Sequence, residues 1–112
     1  MTDRERIQRE RAAIRARFGP LFDEVAALLF RADPVGVNFE TNTDEYEPEV
    51  GTILPRLEGC TSSSDVVRVV HEEFVRWFGV DTAGPLSRYE RLATDLWELW
   101  TASQLKRPPQ AR

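Results

Sequence analysis

Residues 62–79, SSSDVVRVVHEEFVRWFG, decide the fold class. The three serines offer oxygens to the free N–H groups of a helix start, and Asp65 suits the positive end of the helix dipole. Val66, Val67, Val70, Phe74, Trp77 and Phe78 then recur at three- and four-residue spacing until Gly79 supplies a stop. This is one amphipathic helix with a wide apolar face. Something has to cover that face.

The flanking chain predicts more helices. On the C-terminal side, Ser87-x-x-Glu90 has the form of a capping box. It opens a helix carrying Tyr89, Leu92, Ala93, Leu96, Leu99 and Trp100, which runs on toward Lys106. On the N-terminal side, Pro48 suits the first position of a helix with Val50, Ile53, Leu54 and Leu57 on one face. Pro55 inside that helix predicts a kink or an early stop, because its ring presses on the carbonyl four residues back. Further back, Leu21, Val25, Leu28 and Leu29 mark a strongly apolar helix between Gly19-Pro20 and Asp33-Pro34. A first helix follows the capping box Thr2-x-x-Glu5, with only Ile7, Ile14 and Phe18 on its thin apolar line. Residues 34–47 show no helical period. Val35, Val37 and Phe39 alternate as a strand might, but an isolated strand has no partner here, so a loop is expected.

The expected fold is therefore all-α: a compact bundle of four to five helices with one long acidic loop. It forms a single domain over residues 1–106, with 107–112 as a disordered tail. Val25, Leu28, Leu29, Leu54, Leu57, Val70, Phe74, Trp77, Leu96 and Trp100 are the expected core.

Composition narrows the function. The 112 residues are 41% hydrophobic, enough for one independently folding domain. Fifteen basic residues against nineteen acidic ones give a net charge of -4, which argues against a general nucleic-acid partner. No apolar run reaches the roughly 18 residues of a membrane span. The charged opening Met-Thr-Asp-Arg-Glu-Arg has no apolar core of a signal peptide, so the expected address is the cytoplasm. One cysteine, Cys60, excludes an intramolecular disulfide, and one histidine, His71, cannot complete a usual zinc set with it.

Charge is unevenly spread. Residues 1–18 hold six Arg against three acids, a local +3, while residues 33–49 hold six acids and no base, a local -6. Within the acidic stretch, Asn38, Glu40, Asn42, Asp44 and Glu49 fall on ligand positions of a calcium loop. However, Thr43 stands where that loop needs Gly, Glu45 where it wants an apolar residue, and Pro48 where the exiting helix should already run. A solvated acidic loop leading into the Pro48 helix is the better reading, and no metal or cofactor is expected. His71-Glu72-Glu73 begins like a zincin motif, but Val75 replaces the second His. His71 reads as a boundary histidine and Cys60 as a small, partly buried residue. The Arg-rich first helix reads as a solvated face with i,i+4 ion pairs. Trp97 lies at the edge of its helix's apolar stripe and is a candidate for partial exposure.

Two clusters, Asp33-Pro34-Val35-Gly36-Val37 and Asp44-Glu45-Tyr46-Glu47-Pro48-Glu49-Val50-Gly51-Thr52-Ile53-Leu54, follow one another about ten residues apart. In order and spacing they resemble the YugE-like family of small bacterial helical proteins, over about residues 21–79. The resemblance implies a compact helical bundle without cofactor and carries no enzymatic activity. Related small acidic domains stand beside bacterial toxins as candidate immunity proteins. In physical terms Asp33 should end a helix, Gly36 should provide a positive φ, and Tyr46 should pack its ring on the bundle and anchor the loop by its hydroxyl.

With one His and one Cys available, an enzyme is not expected. The expected function is binding a protein partner with a basic surface, in the manner of an immunity protein. Glu40, Asp44, Glu45, Tyr46, Glu47 and Trp97 are the expected contacts. A structural helical domain with no toxin partner is the alternative.

Overall fold

The computed structural model describes residues 3–36 and 46–106. They form six α-helices and one 3₁₀ turn, and no strand occurs among the described residues. In chain order the helices are α1 (Asp3–Phe18), α2 (Pro20–Ala32), α3 (Glu47–Leu57), α4 (Ser63–Phe78), α5 (Val80–Ala83) and α6 (Glu90–Lys106), with the 3₁₀ turn at Leu86–Tyr89. The all-α fold follows from the sequence pattern. Residues 37–45 and the tail 107–112 lie outside the described residues.

Helix α4 is the central element, packing against α6, α3 and α5, while α2 packs against α6, α1 and α3. Its start is capped as the serine run suggests. The Ser62 hydroxyl accepts from the backbone N–H of Asp65, and the Asp65 carboxylate accepts from the Thr61 backbone N–H and hydroxyl. Gly79 ends it at φ 87°. Helix α3 stops two residues after Pro55, so the internal proline brings an early stop. Helix α2 starts with Pro20 and ends on Asp33, whose N–H bonds the Leu29 carbonyl.

Nine of the ten expected core side chains are buried. Trp77 is the exception, with 39% of its surface exposed. It is on phase with Val66, Val70 and Phe74, but it sits in the last turn of α4. Its indole N–H donates to the Thr52 hydroxyl at 3.0 Å, on the flank of α3. Helical phase shows which way a side chain points, not whether another element faces it at that level.

A second difference lies before α6. The expected capping box at Ser87 does not start the α-helix. Pro85 leads into a 3₁₀ turn without a side-chain cap, and α-helical bonding begins only at Glu90. The reason is tertiary: Arg88 and Tyr89 are both drawn back to carbonyls at the end of α5. The two tight elements in residues 80–89 also raise the helix count above five.

Candidate functional site

The described residues that flank the acidic segment, 33–36 before it and Tyr46 after it, are both built into the fold. Asp33 adopts the left-handed conformation at φ 45°, which a non-glycine residue tolerates best when it is Asp or Asn. The turn closes through a bond from the Gly36 N–H to the Asp33 carbonyl at 3.2 Å, with Gly36 at φ 72°. Thirteen residues along the chain, the Tyr46 hydroxyl donates to the Asp33 carboxylate at 2.7 Å. The Tyr46 ring is fully buried and rests on Phe74, 5.9 Å between centroids. The residues on either side of the acidic segment are thus clasped together.

A second set of bonds holds the same turn from the other side. Nη1 of Arg88 donates to the carbonyls of Pro34, Thr82 and Ala83 at 3.1–3.3 Å. This ties the turn after α2 to the end of α5. Gly84 makes the arrangement possible, since a Cβ there would sit 2.7 Å from the Arg88 guanidinium carbon and the backbone is at φ 77°. The Tyr89 hydroxyl donates to the Ala83 carbonyl, and burial pushes its pKa up. His71 Nε2 lies 3.0 Å from the Gly84 carbonyl. A carbonyl can only accept, so this nitrogen carries the proton. His71 is therefore a boundary histidine with a structural partner, and its ring lies against Tyr89.

The expected contact residues separate into distinct groups. Glu40, Asp44 and Glu45 lie outside the described residues. Tyr46 presents no surface at all, so its role is that of anchor rather than contact. Glu47 is half-buried and pairs with Arg15 at 2.7 Å. Trp97 is half-buried, packed on the core with part of its indole at the surface. Glu49, at the last calcium-loop position, is only 3% exposed in the first turns of α3. Three of the six acids in residues 33–49, namely Asp33, Glu47 and Glu49, are thus engaged within the fold.

One cluster escaped the sequence reading. Glu73 is 2% exposed and its Oε2 accepts from Arg56 at 2.9 Å and, more weakly, from Arg76 at 3.5 Å. Arg56 also donates to Glu72 at 2.6 Å. The Glu72 bond first, and the Glu73 bond after it, raise the Arg56 pKa, so this arginine stays charged. A signal was available once Val69 is counted with the apolar stripe of α4: Glu73 then falls between Val69 and Val66 on the buried face, where a lone acid requires a partner. Nearby, Cys60 Sγ contacts the Arg56 carbonyl at 3.6 Å. Burial first, and the Asp65 charge second, push its thiol pKa up and disfavour the thiolate. Among the described residues no three His, Cys, Asp or Glu side chains are grouped to hold a metal. No described helix is long and apolar enough to cross a membrane.

These features define an all-α bundle in which Asp33, Pro34 and Tyr46, on either side of the acidic segment, are fastened to one another and to the end of α5. No family model, curated protein or solved structure matches the chain.

Proposed function

We propose that this protein binds a partner through the acidic segment between its two clasped ends, in the manner of an immunity protein that meets a basic toxin domain. The observation that carries the reading is the bond from Tyr46 to Asp33, reinforced by Arg88 on Pro34. Holding both roots lowers the ordering cost that a segment pays on binding. The nine residues between Gly36 and Tyr46 include Glu40, Asp44 and Glu45 and no base. Clustered negative charge speeds association with a basic surface and selects against acidic ones. Because Asp33, Tyr46, Glu47 and Glu49 are engaged in the fold, the contact set reduces to Glu40, Asp44 and Glu45, with the exposed edge of Trp97 as a further candidate.

The alternative, a structural helical domain with no toxin partner, draws support from those same engaged acids. Capture from host extract at low salt, followed by titration of the purified partner, separates the two. Replacing Glu40, Asp44 and Glu45 by Lys should weaken binding by about tenfold or more and flatten its salt dependence. Tyr46→Phe, which frees the root without changing charge, should weaken it less. If no partner is retained, the structural alternative stands; if the triple reversal binds equally well, the acidic segment is not the contact and the proposal fails.

A further inference from the structure

A cleft of about 550 Å³ opens between the last turn of α2 and the start of α6. Its floor is apolar, formed by Leu28, Pro34 and Leu92, and three guanidinium groups, from Arg31, Arg88 and Arg91, surround it. In a chain of net charge -4 this is a local reversal of sign.

The balance of charge in the cleft decides what it can hold. Two carboxylates share it, Asp33 and Asp95. Asp33 accepts the Tyr46 hydroxyl, and Asp95 forms a long, exposed ion pair with Arg91, 3.8 Å from its Nε. The three carbonyls on Arg88 Nη1 orient its guanidinium but, being neutral, cancel none of its charge. Arg31 and Arg91 are exposed, and Arg31 has no hydrogen bond or ion pair with another described residue. Among the described residues three cations therefore stand against two carboxylates, with the Arg88 guanidinium held in a fixed orientation and Arg91 in a long, exposed ion pair with Asp95.

We propose that this cleft binds a phosphate ester. Planar guanidinium forks pair with oxyanions two oxygens at a time. Three of them around one site suit a tetrahedral oxyanion better than a carboxylate, which offers only two oxygens. The apolar floor takes the organic substituent of the ester. The cleft and the acidic segment call for different ligands: the cleft's contents carry the opposite charge to a basic protein surface, and Arg31 and Arg91 take no part in the clasp at Asp33 and Tyr46.

Calorimetry of the full chain at low salt and neutral pH, with phenyl phosphate, inorganic phosphate and benzoate as separate probes, tests this. Phenyl phosphate should bind saturably with one site per chain, more tightly than inorganic phosphate because of the floor and more tightly than benzoate because of the third fork. Arg31→Gln and Arg91→Gln each remove one charged donor from an exposed position and should weaken phenyl phosphate by about tenfold. Their melting temperatures should stay unchanged. Arg9→Gln, on exposed α1, should bind as the wild type does. The proposal is overturned if phenyl phosphate shows no saturable binding up to about 10 mM, a free energy weaker than about 3 kcal/mol. It is also overturned if benzoate binds equally well, or if Arg9→Gln weakens binding as much as the two cleft variants do.

Discussion

Helices α1 and α4 have the same length, 16 residues each, yet they relate to the rest of the molecule in opposite ways. Helix α4 buries Val66, Val69, Val70, Glu73 and Phe74 against three other helices. Helix α1 packs mainly on α2 and α3, chiefly through Ile14 and Phe18 near its end, with Phe18 also meeting Trp100 of α6, and most of its charges face outward. Arg15 reaches Asp23 and Glu47, and Arg17 reaches Glu58. Arg15 also lies over the Phe22 ring, 4.5 Å from its centroid. The contrast teaches that a helix can be held by burial or by a fringe of ion pairs, and that the two differ greatly in strength.

The strongest way to sharpen this comparison is Phe74→Ala. Phe74 is fully buried and touches Tyr46, Phe78 and Tyr89, so its loss should cost about 3–5 kcal/mol in urea unfolding. Trp77, one turn further on and on the same phase, should cost only about 1 kcal/mol on truncation to Ala. Equal losses would mean that Trp77 is covered in solution.

Next comes Arg56→Ala, which leaves the Glu73 carboxylate buried with only the long Arg76 contact. About 2 kcal/mol should be lost, less than for a deeply buried pair because the Arg56 side chain is 39% exposed. Replacing Arg56 and Glu73 together by Leu should recover most of that loss, since no unpaired charge then remains inside. A double variant no better than Arg56→Ala would place the value of the cluster elsewhere.

On α1, Arg15→Ala should cost under about 1 kcal/mol and become neutral at high salt. Its own pKa is raised, first by the hydrogen bond to Glu47, so it stays charged at every pH of interest. A larger cost would bring α1 closer to α4 than their packing suggests.

The smallest effect concerns acid. The Thr61 N–H and hydroxyl, then Arg68, hold the Asp65 carboxyl below its usual range at the start of α4. Its folded pKa lies beneath its unfolded one, so its contribution is complete above the unfolded value and fades as pH falls through the folded one. Urea midpoints measured from pH 6 down to pH 2 should therefore decline slightly less steeply in Asp65→Asn than in the wild type. An unchanged decline would show the Thr61 bonds to be inconsequential.

The helices themselves were legible in the residues. Serine caps, the Val and Phe spacing of α4, the Gly19-Pro20 break and the stop after Pro55 are local features, and local backbone chemistry acts wherever the chain runs. The roles foreseen for Gly36 and Tyr46 were legible for the same reason, since positive φ and a buried ring with a hydroxyl are properties of single residues. What only the tertiary structure decided are matters of which element faces which. Trp77 ends a stripe whose last turn is only partly covered by the flank of α3, Glu73 is buried because Arg56 comes to it from another helix, and Ser87 loses its cap to the pull of α5 carbonyls on Arg88 and Tyr89. The arginines of the cleft, separated in sequence as Arg31 and Arg88 to Arg91, carry no common motif. They meet because α2 and α6 pack side by side, and periodicity within one helix contains no information about its neighbour.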